Sequence, residues 1–129
     1  MPKPVLPRWW LSAVAWIALA IQLAVLYLPR LPDVGASLLP GADKAVHAAV
    51  FAFAVWAWAL RSRRRWLVAA IFAANAIWSE VAQAAFLPQR SGSPWDALAD
   101  LAGIALGLYL AARWRPGGSG WPAVTSRLR

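Results

Sequence analysis

Four long runs of uncharged, mostly apolar residues constrain this chain more than any other feature. About twenty residues, rising 1.5 Å each, cross the hydrocarbon core of a bilayer. The sequence is 61% hydrophobic and 14% charged, against about 45–50% and about 25% in typical soluble domains. We therefore predict an all-α integral membrane protein, a four-helix transmembrane bundle. Its helices are expected at about 9–28, 43–60, 66–87 and 95–112.

Domain organisation is simple, because 129 residues suit a single domain. We assign residues 1–115 to the membrane domain and 116–129 to a flexible, basic C-terminal tail rich in glycine. Residues 9–28 also resemble a signal peptide, since Lys3 and Arg8 precede them. This run exceeds the 7–15 apolar residues of a signal sequence, so an uncleaved helix is favoured. Cysteine is absent, which excludes disulfide and thiolate chemistry.

The charges divide sharply between the two ends of the predicted bundle. One end carries ten positive and no negative charges, and the other carries three positive and five negative charges. Cationic loops remain in the cytoplasm, so both termini are expected there. The net charge of +8 is thus a topology signal. No nucleic-acid partner is expected, because no nucleic-acid-binding motif occurs.

Ionisable residues within the spans are predicted to lie at one depth. His47, Glu80 and Asp100 come from three different helices, yet each falls within the outer third of the predicted membrane. Charged groups facing lipid are costly, so we expect these side chains to turn toward one another. Arg90, Lys44 and His47 are the candidate partners of Glu80.

Helical spacing predicts which residues share a face. Asp96, Asp100, Gly103 and Gly107 form one stripe of the fourth helix. The two glycines form a G-x-x-x-G pattern, which favours close helix packing. Ser93 and Asp96 have the spacing of a capping box, so capping is the favoured role of Asp96.

Two further residues have a structural and a functional interpretation. Asp43 either complements the N-terminal dipole of the second helix or acts as a ligand. Lys44 either reaches the membrane interface with its charged end or contributes to a site.

Two motifs resemble those of VanZ-like membrane proteins. DKAVHAAVFAFAVWAWAL, from Asp43, is similar to the family's D-K-x-x-H opening of the second helix. SEVAQAAFLPQRSGSPWDALADLAGIALG, from Ser79 to Gly107, is similar to its S-E-x-x-Q … R … D … D-x-x-x-N-x-x-G-x-x-x-G signature. One departure is Ala102-Gly103, where the family commonly has Asn. The resemblance covers about half the chain and implies a multi-pass protein of the bacterial inner (cytoplasmic) membrane, related to proteins of teicoplanin resistance.

Three functions compete, and all of them use the same polar residues. The first is binding or handling of an envelope lipid or lipid-linked precursor near the extracytoplasmic face. The second is a non-catalytic scaffold or partner subunit, and a homo-oligomer fits either interpretation. The third is a membrane-embedded enzyme, in which His47 acts with Glu80 and Asp100 as a general base or metal site. The polar layer comprises Asp43, Lys44, His47, Glu80, Gln83, Arg90, Asp96 and Asp100.

The first two functions need no metal or cofactor. The chain contains one histidine and lacks an H-E-x-x-H, G-x-S-x-G or glycine-rich phosphate motif. No cofactor and no metal are therefore expected, and the enzyme stays the least favoured of the three. A proton-coupled transporter is a further alternative, but four short helices would have to oligomerise to enclose a pathway.

Overall fold

The computed structural model describes residues 8–28, 41–87 and 92–114, which form four α-helices. Their bounds are α1 Arg8–Tyr27, α2 Ala42–Arg61, α3 Arg65–Phe86 and α4 Pro94–Arg113. Every helix end lies one residue from its predicted position. Each helix is long and apolar enough to cross a membrane. The prediction of an all-helical chain with four candidate spans is confirmed, whereas the side of the membrane on which the termini lie stays a prediction. Arg90 and the predicted tail at 116–129 lie outside the described residues.

Local sequence fixes several helix ends. Gly41 has a φ of 80°, a left-handed conformation that glycine adopts easily, and α2 begins directly after it. Asp43, in the first turn of α2, complements the positive end of the helix dipole. Between α2 and α3, the Ser62 N–H donates to the Trp58 carbonyl and the Arg64 N–H donates to Ser62 Oγ. This short turn makes α2 and α3 antiparallel neighbours.

Helices α2 and α4 run parallel and approach each other most closely. A Cβ atom added to Gly103 would collide with the carbonyl oxygen of Ala48. One turn further along, a Cβ atom on Gly107 would lie 2.6 Å from the carbonyl oxygen of Ala52. The predicted G-x-x-x-G stripe thus packs against the backbone of α2.

The bundle is apolar outside and partly polar inside, the reverse of a soluble domain. The apolar core contains Phe51, Val55, Phe72 and Ile104, together with alanines from three helices. Large apolar side chains face outward, including Trp16, Ile17, Ile71, Ile77, Trp78 and Leu98. Among the residues that the structure describes, the buried polar ones are Gln22, His47, Ser79, Gln83, Asp96 and Asp100. This distribution suits a hydrocarbon environment, where polar groups turn away from the lipid.

Charge also distinguishes the two ends of the bundle. Arg61, Arg63, Arg64 and Arg65 lie at the turn between α2 and α3, and Arg113 ends α4. We call this the basic end. Asp43 and Asp96 lie in the first turns of α2 and α4, at what we call the acidic end.

Candidate functional site

A buried histidine and aspartate form the centre of the polar layer. His47 Nδ1 lies 3.0 Å from Asp100 Oδ1, a contact between parallel helices α2 and α4. Asp100 is fully buried and His47 is 4% exposed. The glycine contact explains this geometry, because Ala48 follows His47 and Gly103 lies one turn after Asp100. Close backbone approach therefore brings the two side chains within hydrogen-bonding distance.

Glu80 enters the same region from α3 but has a partner that the sequence did not indicate. Its Oε2 accepts a hydrogen bond of 2.6 Å from the backbone N–H of Ser93. Glu80 lies six residues before the end of α3, so it is about 9 Å from that end. The carboxylate thereby ties α3 to the start of α4. Gly92 completes the contact, because a Cβ atom there would collide with the carbonyl oxygen of Glu80.

This contact corrects the prediction of a capping box. Ser93 does cap α4, since its Oγ accepts from the Trp95 N–H at 3.3 Å. In a capping box the side chain of Asp96 would accept from the Ser93 N–H. Glu80 accepts from that N–H instead, and Asp96 faces Lys44, with Lys44 Nζ 3.4 Å from Asp96 Oδ1.

Lys44 forms an outer tier of the site with two aspartates. Its Nζ lies 3.2 Å from Asp43 Oδ2 as well as near Asp96. Lys44 is half-exposed, whereas the His47–Asp100 pair lies about one turn deeper. Three partners were predicted for Glu80. Of these, His47 lies close to Glu80, Lys44 pairs with the two aspartates instead, and Arg90 lies outside the described residues. Asp43, in the first turn of α2, pairs with Lys44.

The inner tier consists of His47, Glu80 and Asp100. Each offers one nitrogen or oxygen ligand atom, and these atoms all lie within 4.8 Å of one another. Glu80 Oε1 and Asp100 Oδ2 are buried and have no hydrogen-bond partner among the described residues. The tier therefore has unmet capacity to accept hydrogen bonds or to coordinate a cation.

Helix α1 adds polar contacts that sequence reasoning did not include in the site. Gln83 Nε2 donates to the carbonyl of Leu26 at 3.1 Å, and the Tyr27 hydroxyl donates to Asn75 Oδ1 at 3.0 Å. Gln22, one turn before Leu26, is fully buried, and its side-chain amide has no partner within the described segments. Its position as the only amide side chain in the first apolar run, residues 9–28, was the available signal.

Two apolar cavities lie away from the inner tier. A groove of about 300 Å³ between α2 and α4 is lined by Ala49, Ala52, Phe53, Trp56 and Leu110. A second cavity, of about 360 Å³, lies among α1, α2 and α3 and includes Trp16, Trp58 and Phe72. His47, Glu80 and Asp100 line neither of these cavities. The inner tier is therefore a compact polar cluster separate from both.

The Glu80–Ser93 hydrogen bond gives a test of what Glu80 contributes to folding. We expect Glu80→Ala to destabilise the protein by about 1–3 kcal/mol, because it removes the charged acceptor of the part-buried Ser93 N–H. Glu80→Gln should cost less, since the amide oxygen can still accept. Equilibrium unfolding in detergent, followed by helical circular dichroism, measures both. Equal losses for the two variants would contradict the assigned hydrogen bond.

Comparisons of the chain with protein-family models, with curated proteins and with solved structures found no match.

Proposed function

We propose that this chain is a VanZ-like protein of the bacterial inner membrane that binds an envelope lipid or lipid-linked precursor by its headgroup. The observation that carries the proposal is the convergence of polar side chains from α2, α3 and α4 near one end of an apolar bundle. The quoted motif residues Asp43, Lys44, His47, Glu80 and Asp100 all contribute to this convergence. The relation to glycopeptide-resistance proteins belongs to the same proposal.

The proposed orientation follows from charge. The basic end would lie in the cytoplasm, because cationic segments are retained there. The acidic end, with the polar site, would then face the extracytoplasmic leaflet, and both chain termini would be cytoplasmic. The headgroups of lipids in that leaflet would then lie near Lys44 and Asp96.

The chemistry of the two tiers supports recognition of a headgroup. Lys44 is a half-exposed donor for phosphate or carboxylate. The unpaired oxygens of Glu80 and Asp100 suit hydroxyl or amine groups. The open groove between α2 and α4 adds an apolar surface on the helix pair that carries Lys44, and hydrocarbon tails pack well on such a surface. Phosphate together with hydroxyl or amine groups is therefore the proposed headgroup class.

Binding of a polyprenyl phosphate to protein in nanodiscs tests the proposal. We expect Lys44→Gln to weaken binding about fivefold, the effect of one basic residue near an anionic lipid surface. Arg90→Ala should weaken it as well. Arg61→Gln is the matched control, because it removes the same charge at the basic end and should leave binding unchanged. Equal affinities of wild type, Lys44→Gln and Arg90→Ala would contradict the proposal.

The scaffold interpretation predicts a different pattern. There, the polar layer serves assembly alone, so a variant should lose stability and cellular phenotype together. A folded wild type that binds no lipid in nanodiscs would favour this alternative.

A further inference from the structure

The inner tier has the composition of a metal site assembled from three helices. His47 of α2, Glu80 of α3 and Asp100 of α4 place one ligand atom each within 4.8 Å of the others. We propose that these three side chains bind one divalent transition-metal ion, such as Zn²⁺ or Mn²⁺. This inference goes beyond lipid binding and holds independently of it.

The unmet polar capacity of the cluster points to a cationic ligand. Asp100 is fully buried, and its Oδ2 has no hydrogen-bond partner in the described part of the chain. Glu80 Oε1 is likewise buried without such a partner. Buried carboxylate oxygens are costly unless they are paired or coordinate a metal. A single cation bound among the three side chains would offset the negative charge of both carboxylates.

The ligand types select the class of ion. One imidazole nitrogen and two carboxylates combine the donors preferred by zinc with those preferred by manganese. An ion that prefers oxygen alone, such as Ca²⁺, would gain little from His47.

The spacing is compatible with coordination after a small adjustment. Adjacent ligand atoms on a tetrahedral zinc ion are about 3.3 Å apart, given bonds of about 2.0–2.1 Å. His47 Nδ1 and Asp100 Oδ1, which are hydrogen-bonded at 3.0 Å, are already near this separation, and the ion would replace the proton between them. The Glu80 ligand atom lies at most 4.8 Å from the other two, so it would have to approach them by at most about 1.5 Å to reach the tetrahedral separation. A change in the Glu80 side-chain torsions can supply this movement.

Charge gives the ion a second role, which rests on the proposed lipid function. Among the described residues, the acidic end has four carboxylates near Lys44 and His47: Asp43, Glu80, Asp96 and Asp100. An anionic headgroup would be repelled by this excess. A divalent cation would offset it and would keep coordination positions open for a phosphate oxygen.

Metal titration of chelator-stripped protein in detergent, without added lipid, tests the site. Isothermal titration calorimetry with Zn²⁺ should give about one ion per chain, with a measured enthalpy that depends on the buffer, because ligands bind deprotonated and release protons. Mn²⁺ electron paramagnetic resonance gives an independent stoichiometry. Glu80→Gln and Asp100→Asn should each weaken binding at least about tenfold, since changes even outside the first coordination sphere cost that much.

Arg61→Gln is the control, because Arg61 ends α2 at the basic end, outside the polar layer and the three-residue cluster. It should retain wild-type affinity. Folding of each variant is checked by size-exclusion chromatography and circular dichroism, and Glu80→Gln decides the result if Asp100→Asn does not fold. Absence of stoichiometric binding by folded wild type would overturn the proposal, as would wild-type affinity in folded Glu80→Gln. Lipid binding could fail in nanodiscs while the metal titration succeeds, so the two proposals are separately testable.

Discussion

Replacing His47 by leucine is expected to lower the free energy of unfolding by about 3 kcal/mol. Asp100 is fully buried, and His47 supplies its hydrogen bond at 3.0 Å. Removal of one partner of a buried pair typically costs about 3–5 kcal/mol, because the remaining group stays desolvated and unpaired. We expect a loss at the lower end of this range, because polar groups within a membrane also find partners in the unfolded reference state.

The double variant His47→Leu/Asp100→Leu is expected to be more stable than the sum of the single changes predicts. With both polar groups removed, no unpaired group stays buried, and apolar side chains can fill the space. A double-mutant cycle of unfolding in detergent should give a coupling energy of about 1–3 kcal/mol. Strictly additive losses would contradict the contact between α2 and α4.

This double variant also separates a binding site from a structural network. If it folds and has lost metal and lipid binding, the pair serves a site beyond bundle assembly. A folded double variant with full binding of both ligands would remove His47 and Asp100 from the proposed chemistry.

Replacing Gly103 by leucine is expected to have the second large effect, a loss of at least about 3 kcal/mol. Overpacking of a close contact typically costs about 1–3 kcal/mol, occasionally more, and here even a Cβ atom collides with the backbone of Ala48. Backbone atoms cannot rotate away as a side chain can, so α2 and α4 must separate. Ala102→Leu is the matched control, because this neighbouring residue is exposed on the outside of α4.

The same variant should affect the site at a distance. Separation of α2 and α4 would lengthen the contact between His47 and Asp100, so Gly103→Leu should also weaken binding of Zn²⁺. Thermal unfolding and metal titration of the two leucine variants measure both effects. Equal stability of Gly103→Leu and Ala102→Leu would contradict the described packing.

Helix content and helix ends could be predicted because they depend on local sequence. Uncharged runs of suitable length, glycine and proline at the connections, and a serine before Pro94 each act over a few residues. The predicted bounds accordingly differ from the observed ones by a single residue. The shared depth of His47, Glu80 and Asp100 was also predictable, since it follows from counting residues along each helix.

The choice of partners could not be predicted in this way. The sequence offered Lys44, His47 and Arg90 for Glu80, yet its Oε2 accepts from the backbone of Ser93, and Lys44 pairs with Asp43 and Asp96. A backbone N–H carries no sequence signature, so this acceptor could not be read from residue types.

The sequence by itself determined four apolar helices, the separation of charge between their ends and the presence of ionisable groups at one depth. Only the tertiary structure decided that His47 bonds to Asp100 while Glu80 bonds to the Ser93 backbone, and that Gln22 of α1 is buried. The physical reason is that pairing depends on the rotation and relative height of each helix to within an ångström or two. Contacts between helices set the rotation and the relative height, above all the contact of Gly103 with Ala48. Neither quantity can be obtained by counting residues along one helix.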